Sequence, residues 1–302
     1  MKEWQGHKGY SLDTKNGFEV IECEVCKFKH IIPIPTSEEL TEVYRDDYYK
    51  TEKPLYITRA IEDLEWWNTV YADKYAIFEK YLPAKRRRIL DVGSGPGFFL
   101  FYGKQHGWTT VGIEPSKQAA QYSREELKLE IIEDFLSEKV IDILGKFDVV
   151  HLSTVLEHIP DPIGMLQLTN RLLNEEGIIC ISVPNDYNPF QLAAVKEYGL
   201  QPWWVAPPHH INYFDCKSLE ALLTVSGFEI ILSETTFPID MFLLMGENYI
   251  GNDALGRQCH RKRMKFETSL VNAGLNELKR KLYKVLIEHG MGREVVVYAR
   301  KR

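Results

Sequence analysis

The chain has 302 residues, 44% hydrophobic and 26% charged, with a formal net charge of −6. That is the composition of a folded water-soluble chain, long enough for one large α/β domain with additions or two modest domains. No apolar run approaches the roughly 18 residues of a membrane span, and the acidic balance argues against broad electrostatic binding to nucleic acid or anionic lipid.

The N-terminal stretch Met1-Lys2-Glu3-Trp4-Gln5 lacks the apolar centre of a secretory signal. Cys23, Cys26, Cys180, Cys216 and Cys259 show no disulfide-framework spacing. Both features predict a reducing, cytoplasmic location. The expected partner is a small-molecule substrate, with no nucleic acid and no membrane; the sequence leaves oligomeric state open.

In chain order, residues 1–53 form a first unit, with β-like segments at Phe18-Glu19-Val20-Ile21 and Lys29-His30-Ile31-Ile32 around Cys23-x-x-Cys26, closed by Pro33 and Pro35. The cysteine pair has the spacing of half a zinc ribbon, and the second pair is missing. His7 and His30 are the available substitutes. The expectation is a degenerate ribbon held by its apolar strands, with no metal in the protein. Within this unit and just after it, Tyr48, Tyr49 and Tyr56 are candidates for a lid over the functional site, with ordinary packing as the alternative.

Residues 54–83 read as a helical lid or linker, because Ile61, Leu64, Trp67, Tyr71, Tyr75 and Phe78 recur at spacings of three and four before Pro83. From residue 84 to 302, apolar strands alternate with amphipathic helices, the pattern of a parallel sheet built from βαβ units. Strands are predicted at Arg88 to Val92, Thr109 to Ile113, Leu129 to Ile132, Phe147 to Leu152, Ile178 to Val183, Glu229 to Ser233 and Val295 to Ala299.

Two additions interrupt the alternation, at about 184–208 and 237–292, where substrate recognition is expected. Pro202-Trp203-Trp204 and Phe237 to Met245 are candidate walls of an acceptor pocket, with burial in a small core as the alternative. Arg257, Arg261, Lys262, Arg263 and Lys265 are candidates to grip a phosphate or carboxylate, or form a solvated helix face. The second addition includes a helical hairpin, in which Leu275, Leu278, Leu282 and Val285 are expected to pack inward.

The chemistry concentrates at Ile89-Leu90-Asp91-Val92-Gly93-Ser94-Gly95-Pro96-Gly97. A strand runs into a glycine-rich turn and then the apolar helix starting at Phe98, the arrangement that lets a ligand lie on bare backbone at a strand end. The dinucleotide fingerprint G-x-G-x-x-G requires its third glycine one residue later. Asp91 would also repel a pyrophosphate, whereas it suits an ammonium group. Both points disfavour a nicotinamide-dependent oxidoreductase.

Asp91, Gly93, Gly95 and Gly97 resemble motif I, D/E-x-G-x-G-x-G, of the class I S-adenosylmethionine-dependent methyltransferases. The resemblance continues through Glu114-Pro115, Glu133-Asp134-Phe135, the block Phe147-Asp148-Val149 to Leu156-Glu157-His158-Ile159-Pro160-Asp161-Pro162, and Leu172 to Gly177 with Val183-Pro184-Asn185. It covers about residues 86–236. It implies an α/β Rossmann-like fold with a seven-stranded, mostly parallel sheet and helices on both faces, plus N-terminal and C-terminal additions.

The implied methyl donor is S-adenosyl-L-methionine, with S-adenosyl-L-homocysteine as product. Its binding residues would be Asp91, Gly93, Ser94, Gly95, Gly97, Phe98, Glu114, Pro115, Asp134, Phe135, Leu152 and Val155. Glu114 would accept hydrogen bonds from the ribose, and Asp134 with Phe135 would hold the adenine. The order of elements also resembles the deoxysugar C-methyltransferases, which carry a fuller cysteine set and a longer C-terminal half.

An alcohol acceptor must lose a proton as it attacks, and histidine is the commonest side chain for that task. The candidates are His158, next to Glu157, and His210 in His209-His210-Ile211-Asn212-Tyr213-Phe214, which resembles an H-x-N-x-F block of related methyltransferases. Some relatives with E-x-x-E-H are suspected of binding a divalent metal. Thr154 occupies the first position of that block here, which argues against it. The expected reaction is methyl transfer to a hydroxyl of a sugar or similar metabolite. Nitrogen or carbon methylation, or a non-catalytic binding module, are the alternatives.

Overall fold

The computed structural model describes residues 1–42 and 55–302. It opens with strands β1 (Lys2–Trp4), β2 (His7–Lys15), β3 (Phe18–Cys23) and β4 (Lys29–Ile32), then helices α1 (Ser37–Glu42), α2 (Tyr56–Glu62) and α3 (Leu64–Tyr81). The alternating region follows as β5 (Arg88–Val92), α4 (Phe98–Gln105), β6 (Thr109–Ile113), α5 (Lys117–Glu125), β7 (Glu130–Ile132), α6 (Glu138–Leu144), β8 (Phe147–Ser153), α7 (Pro162–Leu172) and β9 (Leu173–Pro184). The remainder is α8 (Pro189–Tyr198), β10 (Asn212–Tyr213), α9 (Cys216–Val225), β11 (Phe228–Thr235), α10 (Met241–Leu244), α11 (Asp253–Asn272), α12 (Asn276–Glu288) and β12 (Glu294–Lys301).

The large sheet has the order β11-β12-β9-β8-β5-β6-β7. All pairs are parallel except those of β12, which runs against both β9 and β11. The chain steps outward from β5 to β7 and returns to lay β8 beside β5. The carboxyl ends of β5 and β8 therefore flank the point where strand order reverses, the usual place for a ligand in an open α/β sheet.

Alternation along each strand divides the core into two layers. Leu90, Val92, Val150 and Leu152 pack in a cluster with residues of α6, α7 and α9. Ile89 and Val149 pack on the opposite face with Tyr75 and Phe78 of α3 and Phe99 and Leu100 of α4. Asp91 and His151 share the second face, so two polar side chains enter the layer beneath α3 and α4.

The small sheet, β1-β2-β3-β4-β10, is antiparallel throughout and takes its fifth strand from residues 212–213, far along the chain. Its cluster joins Val20 and Ile31 to Trp204, Val205, Ile211 and Tyr213. Trp203 packs against the same cluster. The tryptophan pair thus fills the junction of two elements, which is the burial alternative, and is not part of the large cavity's lining.

Two expectations about helices need correction. The predicted continuous helix is broken at Asp63 (φ −100°, ψ 9°), which separates α2 from α3 and whose carboxylate is held by Arg257. The stripe Leu275, Leu278, Leu282 and Val285 is exposed, and α12 instead buries Lys279, Tyr283 and Ile287. The reason is polar: Lys279 pairs with Asp73 at 2.6 Å and Tyr283 donates to Glu267 at 2.7 Å, and both bonds need that face of the helix turned inward.

Candidate active site

The glycine loop follows from the end of β5. Backbone N–H groups of Gly93 and Ser94 both donate to the Ile113 carbonyl (2.8 and 3.0 Å), which folds the turn back against β6. Gly93 has φ +71°, and a Cβ there would lie 2.6 Å from Val155 Cγ2, so only glycine fits. Gly97 (φ +81°) precedes α4, where a Cβ would meet Leu129 and Ser123.

Glu114, 5% exposed, accepts the Gly95 N–H at 2.7 Å and the Ser116 N–H at 2.8 Å, one on each oxygen. Burial pushes its carboxyl up to about 7, assisted by the charge of Asp91, while the two backbone hydrogen bonds pull the other way.

Asp91 is itself buried and accepts from His151 Nδ1 at 2.7 Å. Because Nδ1 carries the proton, His151 Nε2 is the acceptor for Lys74 Nζ at 3.1 Å, and Lys74 also donates to Ser182 Oγ at 2.8 Å. Burial, then the ammonium of Lys74, hold the His151 ring below its ordinary value, against the pull of Asp91. A neutral imidazole thus bridges a cation and an anion. Its ring lies on Phe99 with centroids 4.1 Å apart. Sequence reading missed both His151 and Lys74. The available signal was a histidine in the otherwise apolar run Phe147 to Leu152, on the same strand face as Val149.

A cavity of about 1510 Å³ opens over these groups. Of the predicted cofactor residues, Asp91, Gly93, Ser94, Gly95, Phe98, Glu114, Pro115, Asp134, Phe135 and Val155 line it. Gly97 and Leu152 do not: the first caps α4 and faces Ser123 and Leu129, and the second is wholly buried in the main core. Tyr56 lines the cavity, whereas Tyr48 and Tyr49 lie outside the described residues.

The candidate catalytic residues come together at the turn after β8. His158 lines the cavity; its Nδ1 donates to the His209 carbonyl at 2.7 Å and its Nε2 lies 3.7 Å from Glu157 Oε1. The His210 ring stands edge-on to His158 with centroids 5.0 Å apart, and its Nδ1 is 3.9 Å from buried Asp186. His210 and Glu157 lie behind His158, away from the cavity wall. Asn212 fixes this turn by donating to the carbonyls of Leu156 (3.0 Å) and Ile159 (2.8 Å).

Trp67, Val70 and Tyr71 of α3 and Met165 and Leu168 of α7 add apolar wall, and polar groups come from α2, the α2–α3 junction, α11 and the residues before it: Arg59, Asp63, Tyr249, Asn252, Arg257 and His260. Burial opposes ionisation of Asp63, but the hydrogen bonds and charge of Arg257 prevail and hold its carboxyl below the usual range. His260, donating to Asp63 at 3.2 Å, is pushed down to about 4 by burial and the nearby Arg263. Of the basic residues singled out in sequence, Arg257 alone lines the cavity. Lys262 pairs instead with Glu247, and Arg263 covers the Trp66 ring at 4.4 Å. The segment 237–245 does not line the cavity; Phe242 and Leu243 are buried, with Phe242 stacked on Phe237 and under Lys262 of α11.

The wall suits an adenosyl amino acid. Ser94 Oγ is buried and has no hydrogen-bond partner among the described residues, and each Glu114 oxygen holds only one N–H, leaving acceptor capacity for hydroxyls. Fold and site together define a Rossmann-like enzyme for a nucleoside cofactor. A model of the methyltransferase-domain family matches residues 64–233, more than half of the chain, and the chain belongs to that family. It is a class I S-adenosylmethionine-dependent methyltransferase, with S-adenosylmethionine as cofactor, which sets aside the nicotinamide alternative.

Over 108 residues it is 32% identical to a ubiquinone biosynthesis O-methyltransferase of Actinobacillus pleuropneumoniae, covering 33% of this chain and 46% of the relative. Over 164 residues it is 28% identical to a tRNA U34 carboxymethyltransferase of Sulfurimonas denitrificans, covering 46% and 54%. The chain spans about half the length of the curated relatives it matches. In fold it resembles magnesium protoporphyrin IX methyltransferase of Synechocystis PCC 6803, with TM-score 0.52 and 12% identity over 88% of this chain and 100% of that one. Among the described residues no helix is long and apolar enough to cross a membrane.

Proposed function

We propose that this enzyme methylates a hydroxyl of a small polar acceptor, such as a sugar or similar metabolite, with His158 taking the acceptor's proton. The observation that carries this reading is that His158 and the glycine loop line one cavity, with His158 Nδ1 committed to the His209 carbonyl. That bond leaves Nε2 as the basic nitrogen of the ring.

The sulfonium methyl of S-adenosylmethionine is already activated, so the protein has only to align an acceptor, exclude water and manage one proton. Glu114, Asp134 and Phe135 would hold the adenosine, and Asp91, fixed by His151, would face the amino group. A carboxylate at Glu157 stabilises the positive charge growing on His158 as the proton arrives, and His210 acts as a positioning residue behind the ring. The polar groups of α2, α11 and the segment before it support a polar acceptor. The naming of a relative as an O-methyltransferase supports oxygen, and the net charge of −6 argues against a nucleic-acid acceptor.

His158→Ala should slow single-turnover transfer by about 10²- to 10⁴-fold while leaving S-adenosylhomocysteine affinity unchanged by calorimetry. A near-normal rate removes the histidine base. Incubation with labelled S-adenosylmethionine and fractionated metabolites, with mass analysis of products, identifies the acceptor; label confined to RNA or protein would overturn the small-molecule reading.

A further inference from the structure

The N-terminal knuckle was expected to hold no metal, with His7 and His30 as the available substitutes for its missing cysteine pair; folding brings those four residues together. Cys23 ends β3 and Cys26 lies in the turn to β4, where the Cys26 N–H points at Cys23 Sγ (3.4 Å). His7 begins β2, two residues before Gly9, which pairs with Cys23. His30 lies on β4 opposite Ile21. His7 Nδ1 is 3.2 Å from Cys26 Sγ and 3.9 Å from Cys23 Sγ, and the donor atoms of all four residues lie within 4.8 Å of one another.

The decisive residue is His30. It is 1% exposed, and its Nδ1 donates to the Ile31 carbonyl at 2.9 Å, which fixes the tautomer with a lone pair on Nε2. That Nε2 is buried with no hydrogen-bond partner among the described residues. Leaving a buried acceptor unpaired is costly, and a histidine whose other nitrogen is tied to a backbone carbonyl is the usual arrangement of a metal ligand. The rings of His7 and His30 meet edge-on, with centroids 4.8 Å apart.

We propose that His7, Cys23, Cys26 and His30 bind one structural zinc ion. Tetrahedral zinc with thiolate and imidazole ligands sets its donor atoms about 3.3–3.8 Å apart, so the pairs above need only small adjustments. Two soft sulfurs and two imidazoles favour zinc over calcium or magnesium. Binding converts both thiols to thiolates and releases two protons to solvent. With four protein ligands, the ion has no open position for substrate.

The site also bears on the methyl-transfer centre. His30 pairs directly with Asn212, whose side chain holds the carbonyls on either side of His158, and the Ile211 N–H donates to the Glu157 carbonyl at 2.8 Å. Metal at the knuckle therefore braces the strand that braces the catalytic turn.

The test is elemental analysis of the full chain purified without added metal, followed by cobalt substitution after chelation. One zinc per chain is expected, as are the intense visible bands of tetrahedral cobalt with a thiolate charge-transfer band in the near ultraviolet. His30→Ala should weaken zinc at least tenfold in a chelator competition, and Cys23→Ser with Cys26→Ser should abolish the charge-transfer band. If a variant fails to fold, thiol titration of the native chain decides: both cysteines should react only after chelator is added. Metal-free protein that gains no tetrahedral cobalt spectrum, or knuckle thiols equally reactive with and without chelator, would overturn the proposal.

Discussion

Glu114 carries its carboxyl group to a buried position where, among the described residues, two backbone N–H groups donate to it, and the balance leaves it near 7. Because that value is raised above the ordinary 4.5, the stability linked to this group in the cofactor-free protein is fully present below about 4.5 and is lost as pH rises through about 7. Hydroxyl donors from a bound ribose would favour the ionised form. Binding of S-adenosylhomocysteine at about pH 6.5 should therefore release a fraction of a proton, fading above about pH 8, as read by calorimetry in two buffers of different ionisation enthalpy. Equal heats in both buffers would contradict it. At the neighbouring loop, Gly93→Ala forces a side chain into left-handed backbone and against Val155. We expect a loss of about 1–3 kcal/mol in stability, measured by urea unfolding, with weakened cofactor binding.

Among the elements, β10 is the shortest of the strands and the most consequential. Asn212→Ala strips two buried carbonyls of their donor, at an expected cost of about 1–3 kcal/mol. Its signature should be a fall in kcat exceeding any change in cofactor affinity, because the carbonyls belong to the turn of His158. The sequence made β5 and β6 readable to the residue, since each is a short apolar run bounded by turn signals. It could not show β10, two residues whose pairing partner among the described residues, β4, lies some 180 positions earlier. Periodicity also misread α12. Its leucines form a regular stripe, but the face that turns inward is chosen by Lys279 and Tyr283 and their carboxylate partners, which hydrophobic spacing does not encode. The glycine loop and His158 were legible as local motifs. Lys74 and His151 lie far from Asp91 in sequence and looked ordinary, whereas Cys23-x-x-Cys26 was read as half a zinc ribbon with His7 and His30 as substitutes, a set that only folding brings together.

At the scale of the whole molecule, the helical hairpin of α11 and α12 is tied to α3 through Glu267. This buried carboxylate accepts from Trp66 Nε1 at 2.8 Å and from Tyr283 at 2.7 Å, with Arg263 3.7 Å away. Removing it leaves an indole N–H, a phenol and a guanidinium short of an acceptor. Glu267→Ala should cost about 3–5 kcal/mol by chemical denaturation, and Glu267→Gln appreciably less; equal losses would show that packing, not the carboxylate, holds the hairpin. The small sheet makes a different demand, one of timing. On the ribosome, β1 to β4 emerge first but β4 keeps an open edge until residues 212–213 have been made and the α/β core between them has begun to fold. Through that interval the nascent chain presents an unpaired strand, Lys29 to Ile32, of the kind that recruits other chains. A circular permutant that opens the chain just before β10 would make residues 212–213 ahead of β4, and should shorten that exposure and raise soluble yield.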